Sequence, residues 1–415
     1  MKRRITKILM FICLCCLLAG CSKKEEEKVE ITMIHGWGSM EADHVAMRRI
    51  YEEFEKEHPH IHLNLIAMPS STDVIGKVGD LLTVGEIPDI IFTGGDGRES
   101  VYSFMVKKGY AVDLIPYIEE DEEFAGNVSQ VVLDKWTTNE GKLYTISDVL
   151  LMGGYWYNED IFEQAGVEKV PETWEEWFEA CEKIDKMEND VIPVILDSNH
   201  ISYLMAALLA NENVSTLDNI RDSRMNVNTP AFDRMLDQLR AISEYAILAG
   251  DYNYRDTLSG FNNEESAIYI NGVWASSMID EKLRVSYAPF PSDDGKGIAT
   301  RSACVGYILG NTKDEKRMEA SVEFLKYMLS EPVAYRILEE TGQLPSNPKV
   351  EISEELANGR LYDAVEKTKE ADHYIEVPAN LWSRKIQTAY GQNLIMYMED
   401  KISIEEMHKN LEGLF

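Results

Sequence analysis

Apolar and polar positions alternate in short blocks along the first part of the chain. The alternation at residues 29–34 and 61–66 predicts two strands, and the apolar run at 88–92 predicts a short buried strand. Apolar residues at helical spacing predict helices between these strands, at about 47–57 and 71–84. Strands that alternate with helices in this way predict an α/β unit with a mostly parallel sheet.

The pattern becomes more helical from Thr173 onward. Thr173 is a favoured N-cap residue, and the apolar residues after it recur at helical spacing. The same spacing predicts helices at residues 202–210, 230–248, 316–329 and 332–341, and one from residue 381 onward. The sequence has no repeat and no long linker, and 415 residues are more than one hydrophobic core usually supports. Two interwoven lobes are therefore expected.

Two glycine-rich turns directly follow predicted strands. Trp37 lies between two glycines in the first turn, and Asp96 follows two glycines in the second. Ligands of α/β sheets bind beyond the carboxyl ends of strands, so both turns are candidate sites by position. The second turn lacks the spacing of a P-loop or a dinucleotide fingerprint. We expect no cofactor.

The composition is that of an acidic globular protein. Hydrophobic residues make up 45% of the chain, and 72 acidic side chains outnumber 41 basic ones, for a net charge of −31. Phosphate backbones and anionic head groups would repel such a surface, which argues against nucleic-acid binding. Of the six cysteines, only Cys181 and Cys304 lie beyond residue 21. Two buried thiols are favoured over a single bridge between them.

The N-terminus has the features of a secretory signal. Basic residues precede an apolar run at 8–18, which is too short to span a bilayer, since a helix needs about 20 apolar residues for that. The run ends in Leu-Ala-Gly before Cys21 and resembles the lipobox of bacterial lipoproteins. This resemblance implies a signal peptide at residues 1–20 and a lipid such as palmitate on Cys21. Residues 21–29 would form a flexible stalk. The alternative is an ordinary cleaved signal with an incidental cysteine.

Several stretches, in their order along the chain, resemble the extracellular solute-binding proteins of ABC importers. The resemblance is to the sugar-binding group that includes the maltodextrin-binding proteins. Its most specific stretch is Tyr-Trp-Tyr-Asn-Glu-Asp-Ile-Phe at residues 155–162. The other stretches are residues 54–59, 85–90, 165–166, 173–176, 271–274, 288–291 and 340–345. Together they span nearly the whole chain after the stalk.

The resemblance implies an α/β, two-lobed, periplasmic-binding-protein-like fold with a hinge cleft. Lobe one would comprise residues 30–145 and 288–311, and lobe two residues 146–287 and 312–415. The crossings between them would lie at 146–148, 287–289 and 310–312. A monomer anchored to the outside of the bacterial membrane would capture a carbohydrate in the cleft and deliver it to ABC permease subunits, without acting as an enzyme.

A sugar offers apolar C–H faces and a rim of hydroxyls, so its site needs aromatic platforms surrounded by carboxylates and amides. The residues expected to contact the ligand, mostly by resemblance, are Trp37, Glu41, Asp96, Asp148, Tyr157, Asn271, Trp274, Arg301, Tyr307 and Trp382. The tryptophans have a structural alternative as core residues, and the aspartates have one as cap or turn residues. Which side of the strand with Tyr155 and Tyr157 faces the cleft stays open.

The sequence departs from the maltodextrin branch around Asp96. Thr93 and Gly97 stand where that branch has an aromatic and a charged residue, so the identity and length of the sugar stay open.

Two other functions are compatible with parts of the sequence. A secreted glycan-active enzyme needs two carboxylates about 5 to 10 Å apart, and no pair stands out among 72 acidic residues. A metal-capturing protein is suggested by His58, His60 and His62, but zinc takes three or four ligands, and a solvated histidine-rich turn is favoured.

Overall fold

We analysed a computed structural model of the chain, which describes residues 28–69, 71–93, 101–196, 200–212, 229–248, 254–376 and 384–412. These residues form one four-stranded and one seven-stranded sheet, each with its own helices. Within the described ranges, no helix combines the length and the apolar character that crossing a membrane requires. The predicted signal peptide and Cys21 lie outside the described residues.

Lobe one is built on the four-stranded sheet. Its strands, in the spatial order β10-β3-β1-β2, are β1 (Val29–His35), β2 (Ile61–Ala67), β3 (Ile90–Phe92) and β10 (Tyr307–Leu309). The first three are parallel, and β10 pairs antiparallel with β3. The helices of this lobe are α1 (Ala42–Glu57), α2 (Ser71–Thr83), α3 (Val101–Lys107), α4 (Ile115–Glu119), α5 (Glu122–Asn127), α6 (Gln130–Trp136), α12 (Glu315–Met328) and α13 (Glu331–Thr341).

Lobe two is built on the seven-stranded sheet, in the order β11-β9-β4-β7-β5-β6, with β8 paired to β4. Its strands are β4 (Leu150–Asn158), β5 (Ile192–Leu196), β6 (Ala246–Leu248), β7 (Ser266–Gly272), β8 (Val285–Ala288), β9 (Ile298–Ala303) and β11 (His373–Ile375). Its helices are α7 (Glu159–Gln164), α8 (Trp174–Asp185), α9 (Ile201–Glu212), α10 (Pro230–Ser243), α11 (Tyr254–Asn262), α14 (Gly359–Lys369), α15 (Arg384–Met398) and α16 (Ile404–Leu411), with a 3₁₀ helix, η1 (Val273–Ser277).

The predicted two-lobed α/β class is confirmed by this arrangement, and local signals explain much of it. In α1, the residues predicted at helical spacing are buried together in the lobe-one core. Thr173 caps α8, and its side chain accepts from the Glu176 N–H while the Glu176 carboxylate accepts from the Thr173 N–H. Cys181 and Cys304 are both buried free thiols, as predicted.

The lobe boundaries differ from the predicted ones. Strand β9 was assigned to lobe one within 288–311, but it pairs antiparallel with β4 in the sheet of lobe two. Helices α12 and α13 were assigned to lobe two within 312–415, but their apolar faces belong to the core of lobe one. The chain therefore crosses at residues 303–307 and 342–347, instead of 287–289 and 310–312. The reason is a strand pairing between distant segments, which no local pattern reveals.

Candidate ligand-binding cleft

The ends of the strands define one edge of each sheet. In lobe one, the parallel strands β1, β2 and β3 end at the same edge, where Tyr307 pairs with Phe92. In lobe two, β5 and β7 are parallel, and Gly272 at the end of β7 pairs with Gly153 near the start of β4. Ile146 bridges to Tyr307 in the first sheet, only four residues before β4 begins in the second. The two edges are therefore joined through this crossing segment.

Trp37 lies just beyond the end of β1, half-buried at the edge of lobe one. Its ring stacks on Phe92 with centroids 5.4 Å apart, and the His44 ring meets it edge-on at 4.8 Å. Its backbone N–H donates to Nδ1 of His35 at 3.2 Å. Burial, followed by the charge of Arg48, lowers the pKa of His35 to about 4, so the ring stays neutral and accepts this bond.

Glu41 and His44 form a donor–acceptor pair beside Trp37. Ser39 donates its N–H to Nδ1 of His44 at 3.2 Å, so the hydrogen of the neutral ring lies on Nε2, which is 3.7 Å from the Glu41 carboxylate. Ligand atoms of Glu41, Asp43 and His44 lie within 4.8 Å of one another, which is close enough for a metal ion. A protonated Nε2 offers no lone pair to a metal, so the group suits a hydroxyl better.

Asp148 and Tyr307 are brought together inside the crossing region. Both are buried, and Tyr307 donates its hydroxyl hydrogen to Oδ2 of Asp148 at 2.7 Å. Oδ1 of Asp148 has no hydrogen-bond partner in the part of the chain that the structure describes. Burial raises the pKa of Asp148 to about 6, although the Tyr307 bond acts in the opposite direction. These two residues lie beneath the edge of lobe one and line no open surface of it.

Gly272 is held tightly at the end of β7 in lobe two. Its N–H donates to Oδ1 of the buried Asn271 at 2.7 Å, and its carbonyl accepts from the Trp156 indole at 2.9 Å. The Trp274 ring, which is half-buried in η1, lies against the Cα of Gly272, so a Cβ there would overlap it. Asn271 therefore fixes the turn that presents Trp274, with its own side chain fully buried.

Tyr203, which the sequence analysis missed, lies beside Trp274. It is half-buried near the start of α9, and its ring centroid is 6.3 Å from that of Trp274. Its ring covers Gly153, the strand partner of Gly272. Two facing glycines thus leave room for two neighbouring aromatic rings. The signal that could have found Tyr203 is its position near the start of the helix predicted at residues 202–210.

Arg301 and Tyr157 lie apart from this group. Arg301 is exposed in β9, and its guanidinium lies 4.4 Å above the ring of Tyr374. The side chains of Thr300 and Tyr203 lie on the same face of the sheet, because both would meet a Cβ on Gly153. Neighbouring residues of a strand point to opposite faces, so Arg301 extends from the other face. Tyr157 lies near the far end of β4, seven residues or about 23 Å from its start. We therefore leave Tyr157 out of the cleft.

The remaining predicted site residues, Asp96 and Trp382, lie outside the described residues. Of the three histidines of the alternative metal site, His58 and His60 both contact Glu323, at 3.6 and 3.1 Å, and His62 lies 3.1 Å from Glu55. Among the described residues, metal-ligand atoms of three side chains cluster at Glu41, Asp43 and His44 and not at this turn.

Two α/β lobes joined by short crossings, with aromatic rings at their connected edges, are the architecture of a two-lobed binding protein. The family model for the bacterial extracellular solute-binding proteins matches residues 37–335. The chain belongs to this family.

Relatives and solved structures agree with this assignment. The multiple sugar-binding protein of Streptococcus mutans is 23% identical over 369 residues, which cover 81% of this chain and 84% of that protein. A Streptococcus pneumoniae solute-binding protein, solved with the blood group A-trisaccharide, is similar with a TM-score of 0.77 and 24% identity, covering 92% of this chain and 98% of that one. A Listeria monocytogenes ABC substrate-binding protein, solved with cycloalternan, has a TM-score of 0.72 and 20% identity, covering 93% and 97%.

Proposed function

We propose that the protein captures a carbohydrate between its two lobes and delivers it to an ABC permease. The observation that carries this proposal is the presence of half-buried aromatic rings at both connected sheet edges, Trp37 on lobe one and Trp274 with Tyr203 on lobe two. Aromatic faces suit the C–H faces of a sugar. The names of the relatives, which refer to sugars and saccharides, support the same ligand class.

The polar groups beside Trp37 suit the hydroxyl rim of the same ligand. A hydroxyl both donates and accepts, and the protonated Nε2 of His44 and the carboxylate of Glu41 offer one group of each kind. Asp96 and Trp382 remain proposed contacts from the sequence, whereas Arg301 is not proposed as one, since it extends from the sheet face opposite to Tyr203. Asn271, Asp148 and Tyr307 are proposed to support the site from beneath, since their side chains are buried.

Membrane attachment is proposed through a lipid on Cys21. The lipobox-like sequence supports this, and the charge of −31 disfavours binding to anionic head groups through the protein surface. Cys21→Ala should abolish fatty-acid labelling and leave an unprocessed precursor. Labelling that persists in this variant would contradict the anchor.

A thermal-shift screen of residues 22–415 against mono- and oligosaccharides tests the ligand class. A ligand at 100 times its Kd stabilises the folded state by about 2.7 kcal/mol, which is readily detected. Trp274→Ala should remove the shift. Phe104→Ala is the matched control. Phe104 is an exposed aromatic that packs on Tyr110, close to the end of β10 that lies away from the cleft. No shift with any saccharide would contradict the proposal, and new reducing ends after incubation with glycans would favour the enzyme alternative.

A further inference from the structure

A continuous chain of hydrogen bonds links the aromatic platform of lobe one to the first crossing segment. The Trp37 Nε1–H donates to the Tyr51 hydroxyl at 3.1 Å, and the hydroxyl oxygens of Tyr51 and Tyr307 are 3.1 Å apart. Tyr307 in turn donates to Oδ2 of Asp148 at 2.7 Å. The four residues come from four separate segments: the turn after β1, helix α1, strand β10 and the crossing before β4.

The direction of this chain is set by its two ends. An indole N–H can only donate, and an ionised carboxylate can only accept. Each hydroxyl has one hydrogen, and that of Tyr307 is used at Asp148, so Tyr51 must donate to Tyr307. Every polar hydrogen in the chain then has one acceptor. Protonation of Asp148 disturbs this order, because the carboxyl group becomes a possible donor towards Tyr307.

The Asp148 carboxylate depends on these hydrogen bonds, because among the described residues no cation lies against it. The groups that face its carboxyl are Tyr307 from β10, Tyr51 from α1 and Cys304 from the segment after β9. Burial raises the pKa of all three, so they are neutral near pH 7. The stretch around Ser346 contributes a backbone N–H, which donates to the carbonyl oxygen of Asp148 and not to its side chain.

At the other end, the orientation of Trp37 is determined by few contacts. Phe92 covers one face of the ring, His44 meets it edge-on, and Tyr51 holds its only polar atom. Phe92 also packs against Tyr307, with centroids 4.7 Å apart, so the hydrogen-bonded and the aromatic contacts lead to the same residue. A change at Tyr307 would therefore alter the contacts at both the face and the N–H of the Trp37 indole.

We propose that Tyr51 and Tyr307 are positioning residues that set the orientation of Trp37 from Asp148 in the crossing segment. The state of Asp148 in the crossing segment and the orientation of the Trp37 ring are thereby coupled. The proposal rests on the proposed function for the role of Trp37 as a ligand contact, but the coupling itself is a property of the ligand-free protein. Neither tyrosine needs to touch the ligand.

The test observes the Trp37 indole N–H by NMR in ligand-free residues 22–415 labelled with ¹⁵N-tryptophan. Its signal among the seven tryptophans is assigned by its loss in Trp37→Phe. In the unaltered protein this signal should shift with pH, with a midpoint at about 6, the pKa of Asp148. The shift should be absent in Asp148→Asn, and absent or strongly reduced in Tyr51→Phe and Tyr307→Phe.

His44 also contacts the indole and is a second titratable group beside it, so the Asp148 variant decides between the two sources. A pH step that persists in Asp148→Asn, or a signal that does not move in the unaltered protein, would overturn the proposal. If a tyrosine variant melts at a lower temperature but keeps the pH step, that tyrosine has only a structural role. This result would also overturn the proposal. Because the readout needs no saccharide, a failed saccharide screen contradicts the proposed function alone.

Discussion

Replacing Asp148 by asparagine should stabilise the protein at neutral pH, although it removes a buried hydrogen-bonded residue. The carboxyl group is buried, and within the described ranges it has no neighbouring cation and its Oδ1 has no hydrogen-bond partner. Asparagine is nearly isosteric, is never charged, and can still accept the hydroxyl hydrogen of Tyr307. The substitution therefore removes the cost of a buried charge and keeps the hydrogen bond to the tyrosine.

The size of the effect follows from the pKa of Asp148, which burial raises from 3.8 to about 6. Between these values the folded protein keeps a proton that the unfolded chain has lost, so stability falls as the pH rises through this window. At about 1.4 kcal/mol per pH unit, the ionised carboxylate costs roughly 3 kcal/mol above pH 6. The variant avoids this cost, and its advantage should be roughly half as large at about pH 5.

Urea unfolding of both proteins at about pH 5 and pH 8 measures the advantage as a shift in midpoint. Many other carboxylates titrate in this range, so the quantity to compare is the difference between variant and unaltered protein at each pH. Asp293→Asn is the matched control, because it removes the carboxylate of an exposed aspartate instead of a buried one. A variant that is less stable at pH 8, or an advantage that does not change with pH, would refute the reasoning.

Further predictions concern the lobe-two platform and the two thiols. Trp274→Ala should weaken saccharide binding about thirtyfold, corresponding to about 2 kcal/mol. The melting temperature of the ligand-free protein should change little, because the ring is only half-buried. Unchanged affinity in calorimetry would contradict this prediction. Gly272→Ala should displace the Trp274 ring and also reduce affinity, whereas Gly76→Ala, with open space at its Cβ, should not. Cys181 and Cys304 should resist a thiol-alkylating reagent until the protein is unfolded, because burial raises both thiol pKa values; rapid labelling by mass spectrometry would be inconsistent with this.

Local patterns in the sequence predicted elements well, because the forces that form them act between near neighbours. The Thr173 cap and the apolar face of α1 are examples, and both appear in the structure. The pairing of β9 with β4 joins residues that are about 150 positions apart in sequence. No periodicity within β9 specifies that partner, and the predicted lobe boundaries were wrong for this reason.

The same holds for the candidate site: its local features could be predicted from the sequence, and its contacts between distant residues could not. Trp37 and Trp274 could be selected from flanking glycines and from resemblance, and both lie at the sheet edges. Tyr51 was recognised only as part of the apolar face of α1, because helical spacing identifies the buried side of a ring and says nothing about its hydroxyl. The link from Tyr51 to Trp37 and Tyr307 depends on three-dimensional proximity. Tyr203 was missed because its contact with Gly153 of β4 joins segments that are far apart in sequence.

The central claim is that a carbohydrate is enclosed between two lobes that each supply part of its site. Small-angle scattering of residues 22–415, with and without the saccharide that gives the largest thermal shift, tests this most directly. If closure completes the site, the radius of gyration should decrease at saturating ligand. An identical scattering profile with and without bound saccharide would contradict the account.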